Sequence, residues 1–248
     1  MTVYLVLFLA ALWAGAQNAL AGGGSFVTLA ALLYSGIDAR AANITSTVAL
    51  FPGQLASGWV GRELVGGIGV LSFRALIVIS LFGGGVGAVL LLATPSSVFE
   101  RLLPFLVLLA TAVFAWGSFR PRREAGAKHL SPRGAAAGQF FIAIYGGYFG
   151  GGIGFLMLAV LTMAGVVVRR ASATKNALAA AMNASAVAIF VISPAVSWPR
   201  AVVVCVGAIL GGYGGVWLIK RLNEKALRLL VIAIGAVLTV ALFARAYA

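Results

Sequence analysis

Two glycine runs stand inside apolar sequence, Gly22-Gly23-Gly24-Ser25 and Gly150-Gly151-Gly152-Ile153-Gly154. In a lipid-spanning segment such a run exposes backbone groups that need partners, so it is tolerated only where protein or a water-filled cavity surrounds it. A half-helix that starts after each run, near Ser25 and near Gly154, points free N–H groups and about half a positive charge toward the interior. That is anion-binding chemistry, and it makes Gly23, Gly24, Ser25, Gly151, Gly152 and Gly154 candidate contacts. The plainer alternative is that these glycines only allow close helix packing. Gly83-Gly84-Gly85-Val86-Gly87 and the series Gly207, Gly211 and Gly215 have the four-residue spacing of packing faces and are read as such.

Beyond each run comes a stretch unusually polar for apolar surroundings: Asn43-Ile44-Thr45-Ser46-Thr47 after the first, Thr174-Lys175-Asn176 after the second. Matching Arg40-Ala41 to Arg170-Ala171 places Thr45 opposite Lys175 and Ser46 opposite Asn176. Hydroxyl, amide and ammonium donors suit an oxyanion with several acceptor oxygens. Two other readings stay open: the hydroxyls bond back to their own helix carbonyls, and Lys175 snorkels to lipid headgroups. Deeper in the same segments, Pro52-Gly53-Gln54 and Asn183 offer a kink and amide groups near mid-membrane. Asn43, Thr45, Ser46, Gln54, Lys175, Asn176 and Asn183 therefore complete the candidate set. Gln17 and Asn18 precede the first break and either cap it or pack there. Asn43-Ile44-Thr45 also fits the glycosylation acceptor pattern, but at a position expected to lie in the membrane.

Other chemistries find little support. Asp38, Glu63, Glu100, Glu124 and Glu224 all fall at segment edges or in loops, so no proton-relay or cation-binding acid is expected inside the membrane. An anionic substrate is the better expectation. The lone histidine, His129, and the lone cysteine, Cys205, assemble neither a metal cluster nor a nucleophile–base pair. No enzyme activity, metal or cofactor is expected, and Cys205 reads as a small core hydrophobe.

The elements that must position these residues follow from composition. With 62% hydrophobic and 9% charged residues over 248 positions, the chain cannot clothe a water-facing surface and belongs in a bilayer. A spanning helix needs about 20 apolar residues. Apolar runs cover roughly 3–35, 40–58, 70–94 and 99–117, then 134–166, 171–194, 199–219 and 226–246. The net charge of +13 sits in the intervening loops, where it marks a membrane face and not a nucleic-acid surface. Asn18-Ala19-Leu20-Ala21 faintly resembles a signal-peptide cleavage site, but Met1-Thr2-Val3-Tyr4 carries no basic region, so cleavage is not expected.

Residues 118–133 form the one extended polar stretch and divide a first repeat, 1–117, from a second, 134–248, within a single membrane domain. GGGSF at 22–26 answers GGIGF at 151–155, and GGGVG at 83–87 answers GGYGG at 211–215. Such doubling is characteristic of secondary transporters. If every run crosses once, with the linker inside, Lys and Arg divide evenly between the faces. If the first run of each half folds back at its glycines, fourteen of the eighteen lie with the linker, as cytoplasmic loops require. The expected fold is all-α and polytopic: two inverted repeats, each a glycine-broken, re-entrant-like helical hairpin plus three transmembrane helices, with both termini outside.

The GGGSF and GGIGF breaks, RRASATKNALAAAMN and GGYGGVWLIKRLNEKALRLLVIAIGAVL together resemble the TauE/SafE family of membrane permeases, the sulfite exporters. The likeness covers nearly the whole length and is strongest in the second half. It implies a multi-pass transporter of the bacterial cytoplasmic membrane that exports sulfite or carries organosulfonates such as sulfoacetate. One departure is visible: Gly67-Ile68-Gly69-Val70-Leu71-Ser72-Phe73-Arg74 lacks the Asn and Asp that many relatives carry after the second segment. The expected partners are a small anion and the lipid bilayer, with no nucleic acid; oligomeric state is left open. Alternating access between the halves is the leading mechanism, and a passive anion channel with the same donors is the alternative.

Overall fold

The computed structural model describes residues 2–20, 23–60, 62–119, 130–219 and 224–247. Gly22, Lys220, Arg221 and residues 120–129 of the linker, His129 among them, lie outside the described residues. The described chain is helical throughout: α1 (Thr2–Leu20), α2 (Gly24–Tyr34), α3 (Ala39–Val60), α4 (Phe73–Ala93), α5 (Ser96–Phe119), α6 (Pro132–Tyr148), α7 (Ile153–Met163), α8 (Val168–Phe190), α9 (Trp198–Ile219) and α10 (Glu224–Tyr247). Local chemistry sets several starts. Ser72 accepts from the Ala75 amide at 3.2 Å to cap α4, and Ser131 accepts from Gly134 at 3.1 Å ahead of Pro132 at the first turn of α6. Asp38 Oδ1 accepts from the Arg40 and Ala41 amides at the head of α3.

The first apolar run is broken into α1 and α2, and the fifth into α6 and α7. α2 and α7 are both 11 residues long. One offset, 129 residues, relates their starts, their ends, the starts of α3 and α8, and the left-handed glycines Gly23 and Gly152, Gly36 and Gly165. Packing follows the same exchange of halves. α1 packs on α9 as α6 packs on α4, α3 on α9 as α8 on α4, and α2 on α10 as α7 on α5, while α3 meets α8 directly.

Among the described residues, three helices are long and apolar enough to cross a bilayer by composition, at Phe73–Ala93, Ser96–Phe119 and Arg228–Tyr247. α3 and α8 are not among them, because their Thr, Ser, Asn and Gln residues lower their hydropathy. They sit instead against each other at the centre, where protein surrounds them. The chain is a membrane protein whose polar helices are shielded by its apolar ones.

The glycine-spaced faces lie at the closest crossings. A side chain at Gly211 would strike the Leu12 carbonyl, one at Gly87 the Ile144 carbonyl, and one at Gly147 the Gly84 carbonyl. Small residues there let α1 approach α9, and α4 approach α6, backbone to backbone.

Loop contacts sort into two ends of the bundle. At one end Arg200 donates to the Ser35 carbonyl (3.2 Å), Arg40 to the Leu92 and Thr94 carbonyls (3.1 and 2.9 Å), and Arg245 pairs with Glu100 (2.9 Å). Tyr247 donates to the Arg101 carbonyl there at 3.1 Å. At the other end the Gly66 amide donates to Thr174 (3.1 Å), Arg228 donates to the Ser118 carbonyl (2.8 Å), and Gly69 faces Pro132.

Candidate functional site

The two hairpin tips meet. Gly23, φ 82°, ends the first break and precedes α2; Gly152, φ 74°, ends the second and precedes α7. Residues with a Cβ avoid this left-handed backbone at a cost of roughly 1–2 kcal/mol, which accounts for glycine at both positions. Each tip is backed by the last helix of the opposite half. Gly23 rests on Val231 of α10, and Gly152 on Ala110 of α5, where an added Cβ would come within 2.8 Å in either case.

Between the tips and the α3–α8 crossing lies a small cavity of about 20 Å³, lined by Ser25, Phe26, Leu29, Asn43, Ser46, Thr47, Leu50, Gln54, Phe149, Gly150, Gly151 and Asn183. That is room for one or two water-sized groups. An oxyanion enters only if the tips or α3 and α8 move apart.

Six of the candidate residues line this space together: Ser25, Asn43, Ser46, Gln54, Gly151 and Asn183. Asn183 Nδ2 donates to Gln54 Oε1 at 2.6 Å, so the two mid-membrane amides bridge the halves. Asn43 Nδ2 donates to the Tyr148 carbonyl at 3.1 Å and ties α3 to the second tip. The Ser46 and Thr28 hydroxyls are 2.7 Å apart and tie α3 to α2.

The remaining candidates lie outside the lining. Gly23 and Gly152 set the tip conformations behind it. The Gly24 amide donates to Asn18 Oδ1 at 2.8 Å, so Asn18 satisfies the first free N–H of α2. Thr45 is fully buried but faces away from the cavity, its Oγ1 accepting from the Ser197 amide at 3.0 Å. Asn176 is half-buried on α8. Lys175 is half-buried too, and its Nζ comes within 3.5 Å of where a Gly154 side chain would begin.

The offset of 129 also corrects the pairing of the halves. Thr45 corresponds to Thr174, and Ser46, not Thr45, corresponds to Lys175. The hydrogen bonds agree: Thr45 and Thr174 each accept from an amide in the loop before α9 or α4 of the opposite half. Matching Arg-Ala pairs by identity slipped the register by one residue, which on a helix is a rotation of about 100°. Gln54 and Asn183 stand at the same offset, so the bridging amides are counterparts across the two halves.

Sequence reasoning passed over Phe149 and Thr28. Thr28 was legible as a residue one turn past Ser25 on the same face of α2. Phe149 immediately precedes a glycine run already singled out, but nothing in its type distinguishes it from core.

The family described as "Sulfite exporter TauE/SafE" matches residues 7–242. The chain belongs to the TauE/SafE family. Relatives within reach are named as transporters: "Probable membrane transporter protein YfcA" of Escherichia coli K12 is 28% identical over 94% of this chain and 87% of its own length. A "Probable membrane transporter protein" of Haemophilus influenzae is 26% identical over 94% of this chain and 92% of its own length. "Probable membrane transporter protein ORF9" of a Sinorhizobium species is 28% identical over 96% of this chain and 91% of its own length. Membership places the chain in a family of membrane transporters.

Proposed function

We propose that the protein carries a small sulfur oxyanion, sulfite or a short organosulfonate, across the bacterial cytoplasmic membrane by alternating access of two inverted halves. The observation that carries this reading is one cavity lined by both hairpin tips, by Ser25 and Phe26 in the first turn of α2 and by Gly150 and Gly151 just ahead of α7. Helix N-termini at or beside such a cavity favour an anion. The inverted arrangement is supported by the two ends of the bundle: α1 and α2 return to the end that holds Arg40, Arg101, Arg200 and Arg245, α6 and α7 to the opposite end. The positive-inside rule makes the opposite end, with Arg62, Arg74, Arg133, Arg169, Arg170 and Arg228, cytoplasmic. The closed cavity supports a carrier that must open to one side at a time. Ser25, Asn43, Ser46, Gln54, Gly151 and Asn183 form the substrate contacts, and Gly23, Gly24 and Gly152 hold the tips. Lys175, Asn176 and Gly154 stand on the cytoplasmic approach to the second tip.

The test is sulfite uptake and counterflow in proteoliposomes. Saturable flux with counterflow, reduced at least several-fold in Ser25→Ala or Asn183→Ala, supports the reading. Flux that neither saturates nor shows counterflow contradicts a carrier and favours a passive anion pore.

A further inference from the structure

The cavity wall holds a buried acceptor that an oxyanion alone cannot satisfy. Asn183 is 2% exposed, and its Oδ1 receives no hydrogen bond from any protein group. With Asn183 donating to Gln54, the Asn183 carbonyl is the buried oxygen of the bridge left without a donor.

Part of the neighbouring donor set is committed elsewhere. Thr47 donates to the Asn43 carbonyl at 2.9 Å, and Asn43 Nδ2 donates to the Tyr148 carbonyl. Thr28 has the Gly24 and Ser25 carbonyls within 3.4 and 3.2 Å to receive its own proton. The Ser46 and Thr28 hydroxyls share one hydrogen bond at 2.7 Å, in which either can donate. Thr47 thus faces the cavity as an acceptor, while Ser25, the second Nδ2 proton of Asn43 and the free amide N–H groups of the Gln54–Asn183 bridge remain as donors.

None of the lining residues is ionisable as an acid or a base at neutral pH, and the Lys175 ammonium stands beside Gly154 in the first turn of α7.

We propose that the cavity selects anions that carry a hydrogen-bond donor of their own: hydrogen sulfite, or a short sulfonate bearing a hydroxyl. The sulfonate oxygens take the Ser25 hydroxyl, the second Asn43 Nδ2 proton and the bridge N–H groups. The ligand's O–H satisfies the Asn183 oxygen left over at the Gln54–Asn183 bridge. Donor-free sulfonates leave that oxygen buried without a partner. The inference rests on the anion reading above and adds to it which anions are taken.

The test compares 2-hydroxyethanesulfonate with ethanesulfonate, monoanions that differ by one hydroxyl oxygen. Binding to the full-length protein in lipid nanodiscs is measured by calorimetry, with sulfite and sodium chloride as further probes. The expected result is about ten-fold tighter binding of the hydroxylated compound, the scale set by an unsatisfied buried acceptor. The preference should fall to within about two-fold in Asn183→Leu, and in Gln54→Leu should the first variant not fold. Equal binding of the two sulfonates by the wild-type protein overturns the inference and leaves the anion reading standing, as does an unchanged preference in both leucine variants. Binding of sodium ion with no binding of sulfite or either sulfonate overturns both, and assigns the lining oxygens to a cation.

Discussion

Asn183 of α8 donates its side-chain amide to Gln54 of α3 at 2.6 Å, and the two residues are counterparts in the two halves of the chain. A bond between counterparts lies where the halves meet, so any motion that rocks one half against the other must stretch it. The bridge therefore closes the cavity and also reports on its opening. Asn183→Ala and Gln54→Ala should each lower sulfite flux at least several-fold, and the double variant should be little worse than either. A double-mutant cycle on substrate affinity should give a coupling of about 0.5–3 kcal/mol; additive effects would mean the amides act separately.

The left-handed glycines divide by surroundings. Gly36 has φ 86° and open space where a side chain would project, whereas Gly152 has φ 74° and Ala110 close behind it. Gly36→Ala should cost only the backbone strain, roughly 1–2 kcal/mol. Gly152→Ala should cost more and should also impair flux, since it displaces the second tip. Thermal unfolding in detergent, with flux measured beside it, checks the ordering.

Thr45 and Thr174 are buried but serve the scaffold, each accepting a loop amide from the opposite half. Thr45→Val and Thr174→Val leave those amides without their acceptor, which costs about 1–3 kcal/mol each. Unfolding midpoints should fall while the KM for sulfite stays within about two-fold of wild type. A large rise in KM for Thr45→Val with no loss of stability would move Thr45 into the site.

The arrangement of the two ends has a direct labelling consequence. In a Cys205→Ala background, Tyr34→Cys lies at the end with Arg40 and Arg200, and Val70→Cys at the opposite end; both positions are exposed in the native chain. A membrane-impermeant thiol reagent added to intact cells should modify the cysteine at 34 and spare the one at 70. Modification of the cysteine at 70 alone would reverse the orientation, and modification of both would contradict the sorted charge.

Much of this architecture is visible in the residues themselves. The glycine breaks are legible because few other arrangements tolerate three glycines in apolar sequence, and each does precede a short helix of 11 residues. The packing role of Gly83, Gly87 and Gly211 is legible because four-residue spacing puts small residues on one helix face. The direction each polar side chain takes was harder to read. Asn43, Thr45 and Ser46 are close in sequence and all buried, yet successive residues on a helix are turned by about 100°, so Thr45 faces a loop while Ser46 faces the cavity. Donor character was also illegible: the count of hydroxyls and amides says nothing about which protons are already given to carbonyls such as those of Asn43 and Tyr148. The Asn43–Tyr148 bond joins residues more than a hundred positions apart in sequence, which no local pattern announces.

The most direct measurement uses selenite, a sulfite analogue whose selenium scatters anomalously, soaked into crystals of the protein. The account predicts an anomalous peak in the cavity between Ser25, Gln54 and Asn183, with the two hairpin tips moved apart to admit it. Selenite that competes for sulfite transport but gives its peak only beside Lys175 or at the protein surface, with the cavity unchanged, would contradict it.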